Sequence, residues 1–369
     1  MARLFGLLTV SLVLVACGGR HDIAVSDTLA ESGEVPAGES ELGVRSQEVL
    51  DAAIRADAPG CSAAVGIEGK VAWAGVRGIA DMATGAKITT DTPFDIASVS
   101  KQFTATAVLL LSDAGGLTLD DSVRDHLPDL PEWATAVTVG QLINHTSGIP
   151  DYIDLLEDEG YQLSDRTTQA DAVHALAAVP QLDFPPGSRF EYSNSNYLLL
   201  AEIVNKVSGE PLPEILRTQI FAPLDLAMVM NPGRQIPGMA LPYKTDKSSA
   251  QRNLVIHSSW EQAGDGGIQT TPSQLVRWAD NYRTGQVGGR QLLDAQLRVA
   301  VPTGPDSDER YGAGISVLPD GTLDHDGSWA GFVSDFRISA DRRTALAISC
   351  NTEDHDPAAM VDRLAQLWN

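Results

Sequence analysis

Phe94-Asp-Ile-Ala-Ser98-Val-Ser-Lys101-Gln-Phe103-Thr-Ala-Thr-Ala-Val108-Leu-Leu-Leu111 reads as one apolar helix carrying a serine and a lysine three positions apart. On a helix such a pair shares a face, with Cβ atoms about 5–6 Å apart. A serine hydroxyl is a poor nucleophile until a neighbour takes its proton, and a desolvated lysine can lose its charge and do so. Unpaired N–H groups at the helix start favour negative charge developing on the serine oxygen. Ser-x-x-Lys alone is commonly a polar surface turn. Here Lys101 is the only lysine preceded by a serine at that spacing, and Val99, Phe103, Val108, Leu110 and Leu111 make the helix too apolar for an exposed face. A buried lysine is costly and needs a purpose. Ser98 is the candidate nucleophile.

The remaining 351 positions bound the context. A chain of 369 residues that is 43% hydrophobic and 20% charged is globular, long enough for two domains or one composite body of two lobes. Its formal net charge of −23 excludes nucleic acid and anionic membrane surfaces as partners by repulsion.

At the start, Arg3 precedes an apolar stretch from Leu4 to Ala16, too short to span a bilayer and of the length of a secretory signal. Leu14-Val15-Ala16-Cys17 resembles the lipobox of bacterial lipoproteins, which implies a signal peptide over 1–16 and lipidation at Cys17; the alternative is an ordinary signal cut nearby. No aspartate follows Cys17, so the expected location is the outer membrane, facing the periplasm, with the lipid as the only membrane contact. Residues 17–42 read as a flexible tether whose 25 or so residues reach roughly 25–30 Å. If Cys17 carries lipid, Cys61 and Cys350 remain as a pair in an oxidising compartment, either bonded or as two buried thiols.

Along the body (43–369), helical spacing runs from Glu41 to Asp57, and a hairpin follows over Cys61–Ile67 and Val71–Ile79. From roughly 117 to 241 the units are helical: Val139–Asn144, Gln169–Ala178, Tyr197–Val207 and Leu212–Phe221. This predicts an all-helical lobe inserted between two halves of a sheet, with a ligand cleft between the lobes. After a helix over Ser273–Tyr282, strands are expected at Tyr311–Leu318, Thr322–His325, Gly331–Ile338 and Thr344–Cys350, closed by a helix at Asp356–Trp368. The expected class is α/β, an antiparallel-centred sheet covered by helices.

Ser98-x-x-Lys101, then Tyr192-x-Asn194, then His325-x-Gly327, with Leu142-Ile-Asn-His-Thr-Ser-Gly148 between the first two, resembles the penicillin-recognising serine hydrolases. The resemblance is to the branch holding class C β-lactamases, DD-carboxypeptidases, D-amino-acid peptidases and esterases, and it runs from about Ser46 to the C-terminus. It implies a β-lactamase-like fold and a Ser98 acyl-enzyme. Lys101 and Tyr192 would move protons, Tyr192 as phenolate or through Lys101. Asn194 would bind the substrate amide and steady Lys101. The backbone N–H groups of Ser98 and Ser328 would form the oxyanion hole, and Gly327 would let substrate lie along the strand. A direct substrate role falls to His325, and His145 is read as structural, as are Gly266 and Gly267.

One departure bears on substrate. Where relatives have Lys-Thr-Gly or His-Thr-Gly, Asp326 holds the middle position; facing the cleft it would repel a carboxylate, while strand alternation would let it point away. The expected substrate is a small-molecule or peptide ester or amide. β-Lactamase or DD-carboxypeptidase activity is the alternative, and a slow β-lactam- or peptidoglycan-binding lipoprotein is the alternative of another class. No Gly-x-Ser-x-Gly occurs, and the seven histidines form no metal-ligand spacing, so neither a metal nor another cofactor is expected. Oligomeric state is not encoded in these motifs.

Overall fold

A computed structural model describes residues 40–246 and 252–368. The signal segment, Cys17 and the tether up to residue 39 lie outside the described residues.

The body is built on an eight-stranded antiparallel sheet. In spatial order its strands are Val301–Pro302, Arg310–Tyr311, Ser316–Val317, Leu323–Trp329, Phe332–Ile338, Thr344–Cys350, Cys61–Ile67 and Lys70–Arg77. The first hairpin thus pairs with the last strand of the chain, Cys61 opposite Cys350. These two cysteines are joined by a disulfide. Thr344–Cys350 is buried along its whole length, and Cys61–Ile67 at all but its last residue, because helices cover both faces.

Helices Glu41–Ala53 and Pro357–Trp368 share one apolar cluster with one face of the sheet, through Val49, Leu50, Val361 and Leu364. The opposite face meets the larger core, to which the helices Lys101–Asp113, Asn194–Ser208 and Pro272–Trp278 contribute. Between Val123 and Leu224 the described elements are all helical. Their ends follow from capping: Thr138 and Thr168 form capping boxes, and Gly209 closes Asn194–Ser208 in the left-handed region.

The strand expected over Tyr311–Leu318 is instead two short strands, Arg310–Tyr311 and Ser316–Val317. The intervening Gly314 has φ 74°, and a Cβ there would lie 2.5 Å from the Gln102 nitrogen. The chain loops out because it passes directly over the backbone of the Lys101 helix. Two helices absent from the sequence reading, Tyr152–Asp158 and Gly289–Arg298, complete the described body.

Candidate active site

Local backbone bonds aim Ser98. Phe94 and Asp95 pair with Thr270 and Gln269 in a short strand ladder. Asp95 Oδ1 then accepts the N–H of Ala97 at 2.8 Å, and Ala97 adopts φ 48°. This sharp turn leads into a 3-10 turn, Ala97–Ser100, and only at Lys101 does the α-helix begin. Ser98 therefore sits on the tight turn before the helix rather than one turn inside it.

Lys101 is fully buried. Its Nζ lies 3.0 Å from Ser98 Oγ, 2.8 Å from Asn194 Oδ1 and 2.8 Å from the carbonyl oxygen of Asp265. Two of these neighbours can only accept, whereas the Ser98 hydroxyl can also donate. The three N–H groups of the ammonium go to Ser98 Oγ, Asn194 Oδ1 and the Asp265 oxygen, and an amine that has given up one proton keeps the last two bonds and turns its lone pair to the Ser98 hydroxyl. Burial pushes the Lys101 pKa down to about 8, against the opposing pull of the Asp265, Asp151 and Asp326 carboxyls.

Tyr192 completes the group. Its phenol stands close enough to Ser98 to feel that hydroxyl, and the centre of its ring lies 4.9 Å from Lys101 Nζ. Tyr192 is 38% exposed, yet burial holds its pKa well above the usual phenol range. Burial thus favours the neutral phenol over the phenolate. Asn194 opens its helix, donating from both its backbone N and Nδ2 to Asp151 Oδ2 at 2.8 and 2.9 Å. That fixes which end of the amide faces Lys101.

The direction of the Ser328 N–H follows from the ladder. Ala330 (φ 45°) and Gly331 (φ 89°) form a two-residue loop closing on Trp329 opposite Phe332. Such a loop closes on a hydrogen-bonded pair, and pairs alternate, so Ser328 opposite Val333 is a non-bonded pair. The N–H and C=O of Ser328 therefore point to the other edge, where strand Ser316–Val317 reaches only Leu323 and Asp324. Gly327 faces the nucleophile turn: a Cβ would lie 2.4 Å from the Ile96 oxygen and 3.1 Å from Ala97 Cβ.

The same alternation resolves Asp326. It is exposed on the strand face opposite Gly327, as strand alternation allowed, and its charge still acts on Lys101. His325 also departs from expectation. It is buried, its Nε2 meets the Tyr311 hydroxyl at 2.9 Å, and its Nδ1 meets the Asp326 carbonyl at 2.6 Å. Burial, then Lys101, push its pKa down to about 4. It is a neutral wall residue with neither nitrogen free for substrate.

His145 sits behind Tyr192, in the left-handed region at φ 56°. Its Nδ1 receives the Ser193 N–H at 3.2 Å and Asn196 Nδ2 at 2.9 Å. Asp151, Tyr152, Asp265 and Tyr311 were not singled out from sequence. Asp151 and Tyr152 follow Pro150 as a helix cap and first turn, a readable signal. Asp265 lies between Gly264 and Gly266, and only its position beside the cleft shows that its backbone oxygen serves Lys101. Tyr152 OH donates to Asp265 Oδ2 at 3.0 Å, and Thr104 Oγ1 donates to the Gly264 oxygen at 2.7 Å, pinning that segment against the helix. Among the described residues no group of three or more His, Cys, Asp or Glu side chains is arranged to hold a metal ion.

Comparison with known proteins gives a consistent set of likenesses. The family model described as Beta-lactamase matches residues 46–367. Penicillin-binding protein 4 of Amycolatopsis lactamdurans is 36% identical over 241 residues, covering 64% of this chain and 56% of that protein. A D-aminopeptidase of Brucella anthropi is 32% identical over 230 residues, covering 60% of this chain and 42% of its own length. The chain thus spans about half the length of these curated relatives. Among solved structures, D-amino acid amidase from Ochrobactrum anthropi SV3, complexed with L-phenylalanine amide, matches with a TM-score of 0.74 and 25% identity, over 89% of this chain and 99% of that one.

Proposed function

The chain belongs to the Beta-lactamase family, and we propose that it is a serine acyl hydrolase cleaving amides or peptides of D-configured residues through a Ser98 acyl-enzyme. The observation that carries this is the 3.0 Å contact between Lys101 Nζ and Ser98 Oγ, made inside a buried shell that pushes the Lys101 pKa down to about 8.

In this reading the Ser98 proton passes to Lys101 as Oγ attacks the carbonyl carbon. The N–H groups of Ser98 and Ser328 hold the resulting oxyanion. As the C–N bond breaks, Tyr192 gives its phenol proton to the leaving amine and regains one from Lys101. Water then attacks the acyl carbon, its proton returns through the same pair, and the acid leaves with Ser98 restored. A substrate with a free carboxylate is disfavoured: His325 is neutral, and the Asp265, Asp151 and Asp326 carboxyls all act on Lys101. D-aminopeptidase and D-amino acid amidase relatives support the substrate class.

The test is parallel turnover of a D-phenylalanine p-nitroanilide, a p-nitrophenyl ester, a chromogenic cephalosporin and a D-alanyl-D-alanine peptide. Mass spectrometry of the trapped acyl adduct accompanies it, with Ser98→Ala as control. D-anilide turnover lost in Ser98→Ala is expected. Predominant cephalosporin turnover would replace the reading with a β-lactamase, and an adduct without turnover would replace it with a β-lactam-binding protein.

The lipid anchor at Cys17 and an outer-membrane, periplasm-facing location are part of the proposal. They are supported by the Leu14-Val15-Ala16-Cys17 sequence and tested by incorporation of labelled fatty acid into the chain and into Cys17→Ser.

A further inference from the structure

Lys101 is held by two acceptors that take no part in bond making, Asn194 Oδ1 and the Asp265 carbonyl oxygen, each 2.8 Å from Nζ. Both are gripped from one turn. Asp151 Oδ2 accepts from the backbone N and the Nδ2 of Asn194, and the neighbouring Tyr152 donates its hydroxyl to Asp265 Oδ2 at 3.0 Å. The turn is itself tied to the Asn194 helix, since Ser195 Oγ donates to the Pro150 oxygen at 2.6 Å and accepts the Tyr152 N–H at 2.7 Å. Two consecutive residues thus hold both sides of the lysine.

The Asp265 arm carries a charge that its hydrogen bond to Lys101 does not require. A main-chain oxygen asks nothing of the side chain, yet Asp265 places a carboxyl there that is 8% exposed and receives its bond from a phenol. Tyr152 is buried, and burial, then the Asp265 charge, hold its pKa well above the usual phenol range, so it stays a neutral donor. Burial raises the Asp265 pKa, and Lys101, ahead of Tyr152, opposes that rise. In return Asp265 is foremost among the carboxyls that oppose the effect of burial on Lys101. A buried charge is costly without a counter-charge, and here each group supplies the other's.

We propose that Asp265 is a positioning residue for the reaction: its carboxylate, held by the Tyr152 hydroxyl, sets how firmly Lys101 keeps its proton. The consequence for turnover rests on the acyl-enzyme reading above, in which Lys101 must be neutral to receive the Ser98 proton. The other groups facing the pair do not replace Asp265. Asp151 spends one oxygen on Asn194 and the other on the Ile153 N–H, and Asp326 is exposed, so water and salt screen it. His145 and His325 are held neutral by burial, and burial likewise keeps Tyr192 and Tyr197 as phenols. Asp95, its pKa lifted to about 7 by burial, meets Asp265 as a like charge. Neutralising Asp265 lets Asp95 ionise more readily, which works against the effect expected below.

Carbon NMR titration of the full chain labelled at lysine Cε reads Lys101 directly, its signal assigned from the loss in Lys101→Arg. Asp265→Asn keeps the backbone oxygen and an acceptor for Tyr152 while removing the charge. The ammonium then lacks its counter-charge, so the Lys101 pKa is expected to fall by about one pH unit. The rising limb of kcat/KM on a p-nitrophenyl ester should move by the same amount toward acid. Should Asp265→Asn not fold, Tyr152→Phe serves: Asp265 loses its donor, is less ionised, and the Lys101 pKa falls by a smaller amount. A Lys101 pKa that stays or rises in the folded variant overturns the proposal, even where kcat drops, because a purely structural role lowers kcat without moving the titration. A pKa that falls with no pH-dependent limb in either protein upholds the coupling of Asp265 to Lys101 and overturns instead the reading of Lys101 as proton acceptor.

Discussion

His145 lies flat against Tyr192, their ring centroids 4.3 Å apart and their planes 26° from parallel. The tautomer of His145 is fixed by its partners. Ser193 N–H is an unambiguous donor, and Asn196 is oriented by Ser147 Oγ, which donates to its Oδ1 at 2.6 Å, so Nδ1 must accept both bonds and cannot carry a proton. Burial, then Lys101, hold the ring pKa well below the usual histidine range. A neutral plate thus backs the Tyr192 phenol.

His145→Gln keeps an acceptor for Ser193 but removes the plate. Its kcat is expected to fall by about 10–100-fold, since a misplacement near 1 Å can cost that much, with KM changed by less than about twofold. His145→Phe keeps a ring but leaves two buried donors unpaired, costing about 1–3 kcal/mol in urea denaturation. Wild-type kcat in His145→Gln would show that the stack does not position Tyr192.

Lys101 dictates a pH dependence. The amine must be neutral to receive the Ser98 proton, and its pKa is pushed down to about 8, so below that value the competent fraction falls tenfold per pH unit. On a neutral ester, kcat/KM should rise with unit slope from pH 6 to about 8 and then level. Neither His145 nor His325 should add an inflection there, as both are held neutral. Lys101→Arg, which cannot deprotonate at these pH values, should abolish the plateau. A flat profile between pH 6 and 9 would remove Lys101 as the proton acceptor.

Much of this arrangement was legible in the sequence, for physical reasons that differ by residue. Ser98 and Lys101 declared themselves because a lysine in an apolar helix has few inexpensive explanations. Tyr192 and Asn194 became visible only in combination with them, since a tyrosine two before an asparagine is ordinarily turn and packing. Asp326 shows the limit: its charge was readable, but the face it takes depends on ladder register, which the Ala330-Gly331 loop sets. His325 shows another, because its neutrality comes from Tyr311 and burial, and both are tertiary. Asp265 acts through a backbone oxygen, for which its side-chain identity carries no signal.

The Cys61–Cys350 disulfide joins positions 289 residues apart and ties the first hairpin to the last strand of the sheet. Linking so distant a pair restricts the unfolded chain, and losing it should cost roughly 2–4 kcal/mol. Cys61→Ser/Cys350→Ser should show that loss in urea denaturation with kcat unchanged, because the bridge lies in the cluster on the sheet face away from Ser98. Equal midpoints for the oxidised protein and the double variant would place its stability elsewhere.

Gly327 offers the sharpest test of the oxyanion geometry. An added Cβ would lie 2.4 Å from the Ile96 oxygen, 2.7 Å from Ser334 Oγ and 3.1 Å from Ala97 Cβ. The hydroxyl of Ser334 can rotate, although it already donates to the Ile96 oxygen at 2.9 Å; the two Ile96 and Ala97 contacts are with the nucleophile turn itself. Gly327→Ala can therefore be accommodated only by separating strand Leu323–Trp329 from the Ala97–Ser100 turn. That separation moves the Ser328 N–H away from the Ser98 N–H, and an oxyanion hole works only while both donors reach one oxygen. Losing one such donor costs about 100- to 1000-fold in kcat, so Gly327→Ala should lose about that much on every substrate tested, amide and ester alike. Substrate-dependent losses, large for peptides and slight for esters, would instead mean that Gly327 serves to accommodate substrate along the strand edge and that the oxyanion is held elsewhere.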